Sequence, residues 1–184
     1  MSSMLVIGCS PSTNPVATSA STDTDADADA DTEVTSIATA CPQFETLYFS
    51  CETSSGGHVS ICGRNKDSLL DLTYRHNEGG RITLEHHWNS AAGPDGRFTQ
   101  NAYHRYRTEY NEIGFALLDK EYKIFSHYAA EDGPEMVSRG VRIQDVESGE
   151  EIRSLQCMDT QVDEIRKLIP ILECDPDSAL GCAD

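Results

Sequence analysis

Seven cysteines in a chain of 184 residues constrain the fold more than any other feature of this sequence. None of them stands in a CxxC pair, and no cysteine–histidine group has the short spacing of a zinc site. Disulfides are therefore the favoured use, and disulfides persist in oxidising compartments. The sequence predicts an exported protein without a metal or cofactor. Its disulfide candidates are Cys41, Cys51, Cys62, Cys157, Cys174 and Cys182, and Cys9 is left over.

The positions of the six candidate cysteines suggest how they pair. The two C-terminal ones lie close together in a tail with proline and glycine, which favours a local bridge. In a closed barrel the first and last strands meet, which favours a Cys51–Cys157 bridge and leaves Cys41 for Cys62. A direct bridge from Cys51 to Cys62, across one hairpin, is the alternative. The sequence alone leaves both possibilities open.

Residues 41–158 have the pattern of a series of short strands. In Arg81–Trp88, apolar and aromatic residues alternate with polar ones, which is typical of a half-buried strand. Turn signals such as Gly56-Gly57 and Glu147–Glu150 recur along the segment. The pattern predicts a mainly β domain, an antiparallel meander forming a small barrel or sandwich. The candidate strands are Thr46–Cys51, His58–Cys62, Leu69–His76, Arg81–Trp88, Ala102–Tyr110, Ile113–Leu118, Lys123–Tyr128, Val137–Val146 and Glu151–Cys157.

The segments that flank this β-domain have a different composition. Residues 10–40 are Ser, Thr, Ala, Asp and Pro with almost no large apolar side chains, so we expect a disordered acidic linker. Residues 159–184 are predicted to hold one short helix and the cysteine-containing tail. Pro170 should end that helix near Ile169. Its apolar face would consist of Val162, Ile165, Leu168, Ile169 and Leu172.

The chain is strongly acidic, with 31 Asp and Glu against 14 Lys and Arg and a formal net charge of −17. No Lys or Arg precedes Arg64. A surface without a basic stripe excludes nucleic acid and anionic membrane surfaces as expected partners. It suits a cationic protein partner.

No arrangement typical of an active site stands out, so we predict a non-enzymatic protein. The sequence lacks the GxSxG, HExxH, P-loop and dinucleotide fingerprints. Adjacent His86 and His87 on one strand must point to opposite faces and cannot serve one site. The aromatic and basic cluster Tyr103–Arg107 could bind an anion or a sugar, but pairing of its arginines with nearby glutamates is the favoured explanation.

The N-terminus resembles the lipobox of bacterial lipoproteins. Met4-Leu5-Val6-Ile7-Gly8-Cys9-Ser10 is a short apolar patch that ends in a small residue and a cysteine. The resemblance implies that Cys9 is lipidated and anchors the chain in a membrane, with residues 1–9 as a truncated signal and the natural start upstream. Ser10 at the next position implies sorting to the outer membrane, facing the periplasm or the exterior.

A second resemblance covers about residues 44–159. It rests on Phe49-Ser50-Cys51, on the segment from Gly56 to Cys62, on Tyr122 to Asp132, and on Gly140 to Asp159. This set is similar to a family of small exported proteobacterial proteins with no assigned function. The resemblance implies a β-domain and export to the cell envelope.

A third resemblance is to the membrane-bound inhibitors of C-type lysozyme, which are lipoproteins with a small β-barrel. The matching pieces are Tyr48–Cys51, Cys157 and the loop Ser90-Ala91-Ala92-Gly93. The resemblance implies an inhibitory loop that enters the cleft of the enzyme. Because lysozyme catalysis uses two carboxylates, Ser90 and Arg97 are the side chains we expect to contact them.

Overall fold

The computed structural model describes residues 41–66, 69–131 and 133–182. The predicted signal-like segment with Cys9 and the predicted linker 10–40 lie outside the described residues. Among those described, no helix is long and apolar enough to cross a membrane.

Ten strands and one short 3₁₀ turn make up the regular structure of the described residues. The strands are β1 (Thr46–Thr53), β2 (Gly57–Lys66), β3 (Leu69–Glu78), β4 (Arg81–Asn89), β5 (Thr99–Arg105), β6 (Thr108–Leu117), β7 (Lys120–Ala129), β8 (Met136–Asp145), β9 (Glu151–Asp163) and β10 (Glu173–Cys174). The 3₁₀ turn is Ile165–Lys167.

All ten strands belong to one curled sheet with the order β10-β5-β6-β7-β8-β9-β1-β2-β3-β4. Neighbours are antiparallel except for the short parallel pair of β10 with β5. Two pairs join strands that are not consecutive in the chain: β9 pairs with β1, and β10 pairs with β5. The prediction of a mainly β, antiparallel meander is confirmed, and the sheet has the form of a half-barrel.

One predicted strand proves to be two. The pattern predicted a single strand over Ala102–Tyr110, whereas β5 ends at Arg105 and β6 begins at Thr108. Tyr106 and Arg107 form the turn between them, and Arg107 adopts a positive φ of 54°. Neither residue is a usual turn former, so the composition carried no signal of this turn.

The predicted C-terminal helix is reduced to the 3₁₀ turn Ile165–Lys167. Strand β9 continues to Asp163, because Val162 and Asp163 pair with β1. The apolar residues predicted for one helical face are still used, since Ile165 and Leu168 are buried in the core. Pro170 follows within a few residues and prevents a longer helix from forming.

Three disulfides join the six cysteines of the described residues: Cys41–Cys62, Cys51–Cys157 and Cys174–Cys182. Cys51–Cys157 links β1 to β9, which are neighbours in the sheet although they are far apart in the chain. The alternative bridge from Cys51 to Cys62 does not form. The strand register gives the reason: Cys51 pairs with Val59, whereas Cys62 pairs with Leu47 near the other end of β1, so the two cysteines do not face each other.

Candidate functional site

The loop 90–98 connects β4 to β5, which stand near opposite ends of the strand order. It therefore spans the opening of the half-barrel. Residues 91–95 are exposed, and Phe98 at the end of the loop is buried in the core. An exposed loop anchored at its base by a core residue is a suitable place for a binding site.

Two side chains of β4 form hydrogen bonds to the backbone of this loop. Trp88 donates from Nε1 to the carbonyl oxygen of Gly93 at 3.1 Å. His86 Nε2 lies 2.6 Å from the carbonyl oxygen of Gly96. Because a carbonyl oxygen can only accept, Nε2 of His86 carries the proton. These bonds fix the path of the loop against the sheet.

His86 is itself held by the core. Its ring stacks on Phe115, with centroids 4.3 Å apart and an angle of 9° between the planes. Burial disfavours the charged imidazole and lowers the pKa of His86 below its usual value, although the bond to Gly96 opposes this. His86 and His87 do point to opposite faces of β4, since His86 is buried and His87 is exposed.

The two side chains predicted to contact an enzyme both have partners within the protein. Ser90 Oγ accepts a hydrogen bond from the backbone N–H of Leu70 at 3.0 Å. Arg97 forms an ion pair with Glu173 of β10. The structure nevertheless brings them together, because Ser90 and Arg97 line one cavity of about 360 Å³ with Trp88 and Phe98.

The exposed part of the loop carries Ala91, Ala92, Gly93, Pro94 and Asp95. Asp95 is its one charged side chain. A loop tip that entered a cleft with two carboxylates would therefore present a negative charge, which opposes binding. Only Arg97, at the base of the loop, can supply the attraction.

The Tyr103–Arg107 cluster lies at the tip of the β5–β6 hairpin. Arg105 pairs with Glu131, which lies in the loop after β7 and not opposite it on a neighbouring strand, so the predicted cross-strand pairing of the arginines with glutamates is met only in part. Arg105 and Arg107 do not share a strand face, because Arg107 belongs to the turn. Tyr106 is 83% exposed at the tip.

The sequence did not predict a row of rings on the outer face of the sheet. Tyr103 of β5 lies 6.2 Å from Tyr110 of β6, and Tyr110 lies 4.7 Å from His127 of β7. Phe125 extends the row, 5.0 Å from His127. These residues are scattered along the sequence, and only the strand register places them side by side.

A buried carboxylate supports the far end of this row. Glu112 accepts from His127 at 3.0 Å and pairs with Arg142. Despite its burial, the pKa of Glu112 lies below its usual value, because the bond to His127 and the charge of Arg142 outweigh desolvation. The Arg142 guanidinium also stands 5.0 Å from the centre of the Phe125 ring.

Ser50 and His58 form a hydroxyl–imidazole contact of 3.0 Å that the sequence did not predict either. The same Nε2 atom lies 3.0 Å from the Gln161 side-chain oxygen, which accepts from Ser50 as well. Since that oxygen only accepts, Nε2 carries a proton and cannot take one from Ser50. Ser50 is only 2% exposed, whereas Gln161 is exposed, so the contact belongs to a hydrogen-bond network that reaches the surface.

Metal-ligand spacing occurs once among the described residues, at Cys41, Glu45 and Cys62. The two cysteines are bonded to each other. A disulfide offers no thiolate to a metal ion, so this group does not have the chemistry of a metal site.

Comparison of the chain with protein-family models, with curated proteins and with solved structures found no match. The family resemblances noted in the sequence therefore stay predictions.

Proposed function

We propose that this chain is a non-enzymatic binding protein of the bacterial cell envelope, held at the membrane by a lipid on Cys9. The observation that carries the proposal is the set of three disulfides, which uses every cysteine of the described domain. Such a set requires an oxidising compartment such as the periplasm or the cell surface. Nε2 of His58 carries a proton and cannot act as a base toward Ser50, which supports the non-enzymatic part of the proposal.

Cysteine arithmetic supports the lipid anchor. Six of the seven cysteines pair with one another, so Cys9 has no cysteine partner within the chain. Lipidation would account for this unpaired cysteine. Ser10, the residue after it, favours sorting of the lipoprotein to the outer membrane. A single acyl chain binds a membrane only marginally, so the full set of acyl chains of a lipoprotein is needed for stable anchoring.

We expect the chain, expressed behind a complete secretion signal, to incorporate a palmitate analogue and to fractionate with the outer membrane. Cys9→Ser should lose the label and appear in the soluble periplasmic fraction, because no acyl acceptor remains. Ser10→Ala, one residue away, is the matched control and should stay labelled. Equal labelling of the native chain and Cys9→Ser would end this proposal.

The charge distribution favours a cationic protein as the partner. Each described arginine except Arg81 and Arg107 is paired with a carboxylate. By contrast, several exposed acidic residues form no ion pair within the described part of the chain. These residues are Glu52, Asp95, Glu135, Glu147, Glu150, Glu151, Asp159 and Asp177. The unpaired surface charge is therefore mainly negative, and it would steer a basic protein toward the domain.

The second candidate function is inhibition of C-type lysozyme by the loop 90–98. The bracing of this loop by Trp88 and His86 favours it, because an inhibitory loop must be rigid before it binds. In this mechanism Arg97 would exchange Glu173 for a carboxylate of the enzyme. The negative charge of Asp95 at the tip stands against it.

If the loop inhibits lysozyme, micromolar full-length chain should slow the clearing of a cell-wall suspension by the enzyme. Arg97→Ala should weaken inhibition by about tenfold, because it removes the only cation of the loop. Arg166→Ala, which removes an exposed arginine paired with Glu109 outside this loop, is the matched control and should inhibit normally. Absence of inhibition, or equal inhibition by Arg97→Ala, would exclude this loop mechanism while leaving the anchored binding protein untouched.

A further inference from the structure

The outer face of β5–β7 carries aromatic rings where an antiparallel sheet normally turns polar side chains to water. Tyr103, Tyr110 and His127 follow one another across three adjacent strands, one ring from each. Neighbouring strands lie about 4.8 Å apart, so the rings form a strip that runs across the strands. We call these three residues and Phe125 the aromatic strip.

A cavity of about 330 Å³ opens over the strip at Tyr110. It is lined by Thr108 and Tyr110, by the Arg105–Glu131 ion pair, and by Met136, which is 66% exposed. Ligand pockets range from about 300 to 1,000 Å³. This one is therefore of a size for a ligand of one or two rings.

The charges around the cavity favour a neutral ligand. Arg105 is neutralised by Glu131, and Glu135 follows in the same loop. The carboxylates of Glu131 and Glu135 would repel an anion, and Arg105 and the nearby Arg107 would repel a cation. A neutral ligand with many hydroxyl groups avoids both conflicts. The ion pair offers it planar donors on one side and carboxylate acceptors on the other.

We propose that this cavity is a carbohydrate site that takes a neutral sugar unit of a glycan chain. The electron-rich face of Tyr110 attracts the C–H face of a sugar ring, as aromatic faces attract any positively polarised edge. Arg105 and Glu131 bind its hydroxyl groups. The strip toward Tyr103 and His127 provides rings for the neighbouring sugar units. The site is separate from the loop 90–98 and does not depend on a lysozyme function.

A purely structural role is the competing explanation, because cross-strand aromatic pairs contribute about 0.2–1 kcal/mol each to a sheet. Two observations favour a ligand over this role. Tyr110 borders a cavity, and Tyr103 and Met136 remain exposed. A stability effect and a binding effect are also separable by measurement.

The test is calorimetric titration of the full-length chain with neutral tetrasaccharides (chitotetraose, cellotetraose and maltotetraose) and with anionic tetragalacturonate. We expect at least one neutral probe to bind and tetragalacturonate to bind more weakly. Tyr110→Ala should lower the affinity for the bound probe by about tenfold through the lost ring. Tyr110→Phe, which keeps the ring, should retain most of it.

Phe44→Ala is the matched control, because Phe44 is an exposed ring beside an arginine, Arg64, away from the strip. It should bind like the native chain, and thermal unfolding of each variant should show that it is folded. The proposal is overturned if no neutral probe binds at millimolar concentration. It is equally overturned if tetragalacturonate binds best, or if Tyr110→Ala binds as tightly as Phe44→Ala.

Discussion

Removing the Cys51–Cys157 disulfide with the double variant Cys51→Ala/Cys157→Ala is expected to lower the free energy of unfolding by about 4–5 kcal/mol. The bridge joins residues 106 apart in sequence, so its loss frees a long stretch of the unfolded chain. It also connects β1 and β9, which are far apart in the chain and neighbours in the sheet. Urea unfolding followed by far-ultraviolet circular dichroism measures the change.

The C-terminal bridge provides the control. Cys174 and Cys182 are only 8 apart, so Cys174→Ala/Cys182→Ala should cost about 2 kcal/mol less than the first double variant by the same chain-entropy argument. Equal losses for the two pairs would show that loop length does not decide their contributions. A loss of unfolding free energy below about 1 kcal/mol for the Cys51/Cys157 pair would contradict the proposal that this bridge stabilises the pairing of β1 with β9.

Most of the fold could be predicted because the strands repeat a two-residue alternation and end at recognisable turns. Leu84 and His86 illustrate the alternation, and Gly149 the turns, with its positive φ of 70°. The turn at Tyr106 and Arg107 could not be predicted, because both residues are compatible with a strand. The helix prediction failed at Val162 because an apolar spacing suited to a helix also suits a strand followed by a tight turn.

The functional surfaces were harder to predict because they depend on register. Ser90 and Arg97 could be selected from the loop composition, yet nothing in the sequence reveals that Leu70 and Glu173 contact them. The aromatic strip is the clearer case. Tyr110 and His127 are distant in sequence and meet only through the pairing of β6 with β7. A shift of one residue would send one of these rings to the core.

Phe115 is a core residue with ring contacts to several neighbours, and Phe115→Ala is expected to lower the free energy of unfolding by about 3–5 kcal/mol. The side chain is 2% exposed, so its removal leaves a cavity that the surrounding rings cannot fill without losing their own contacts. Its ring contacts are His86, Tyr122, Phe98 and Tyr74, with centroids 4.3, 5.0, 5.0 and 5.2 Å away.

This substitution should also loosen the loop 90–98. Without the stacking partner, His86 is free to turn away from Gly96, and Phe98 loses a neighbour at the base of the loop. The backbone amide of Arg97, which donates to Pro94 within the loop, should then exchange its hydrogen faster than in the native chain. Hydrogen exchange under native conditions measures this, because loop opening needs less free energy than global unfolding.

Phe44→Ala makes the same chemical change at a ring that is 66% exposed and should cost about 1 kcal/mol or less. It should leave exchange at Arg97 unchanged. If Phe115→Ala destabilised the protein while exchange at Arg97 rose only in step with global unfolding, the loop would not be held through His86. Its rigidity would then rest on the Trp88 bond to Gly93 and on the ion pair of Arg97 with Glu173.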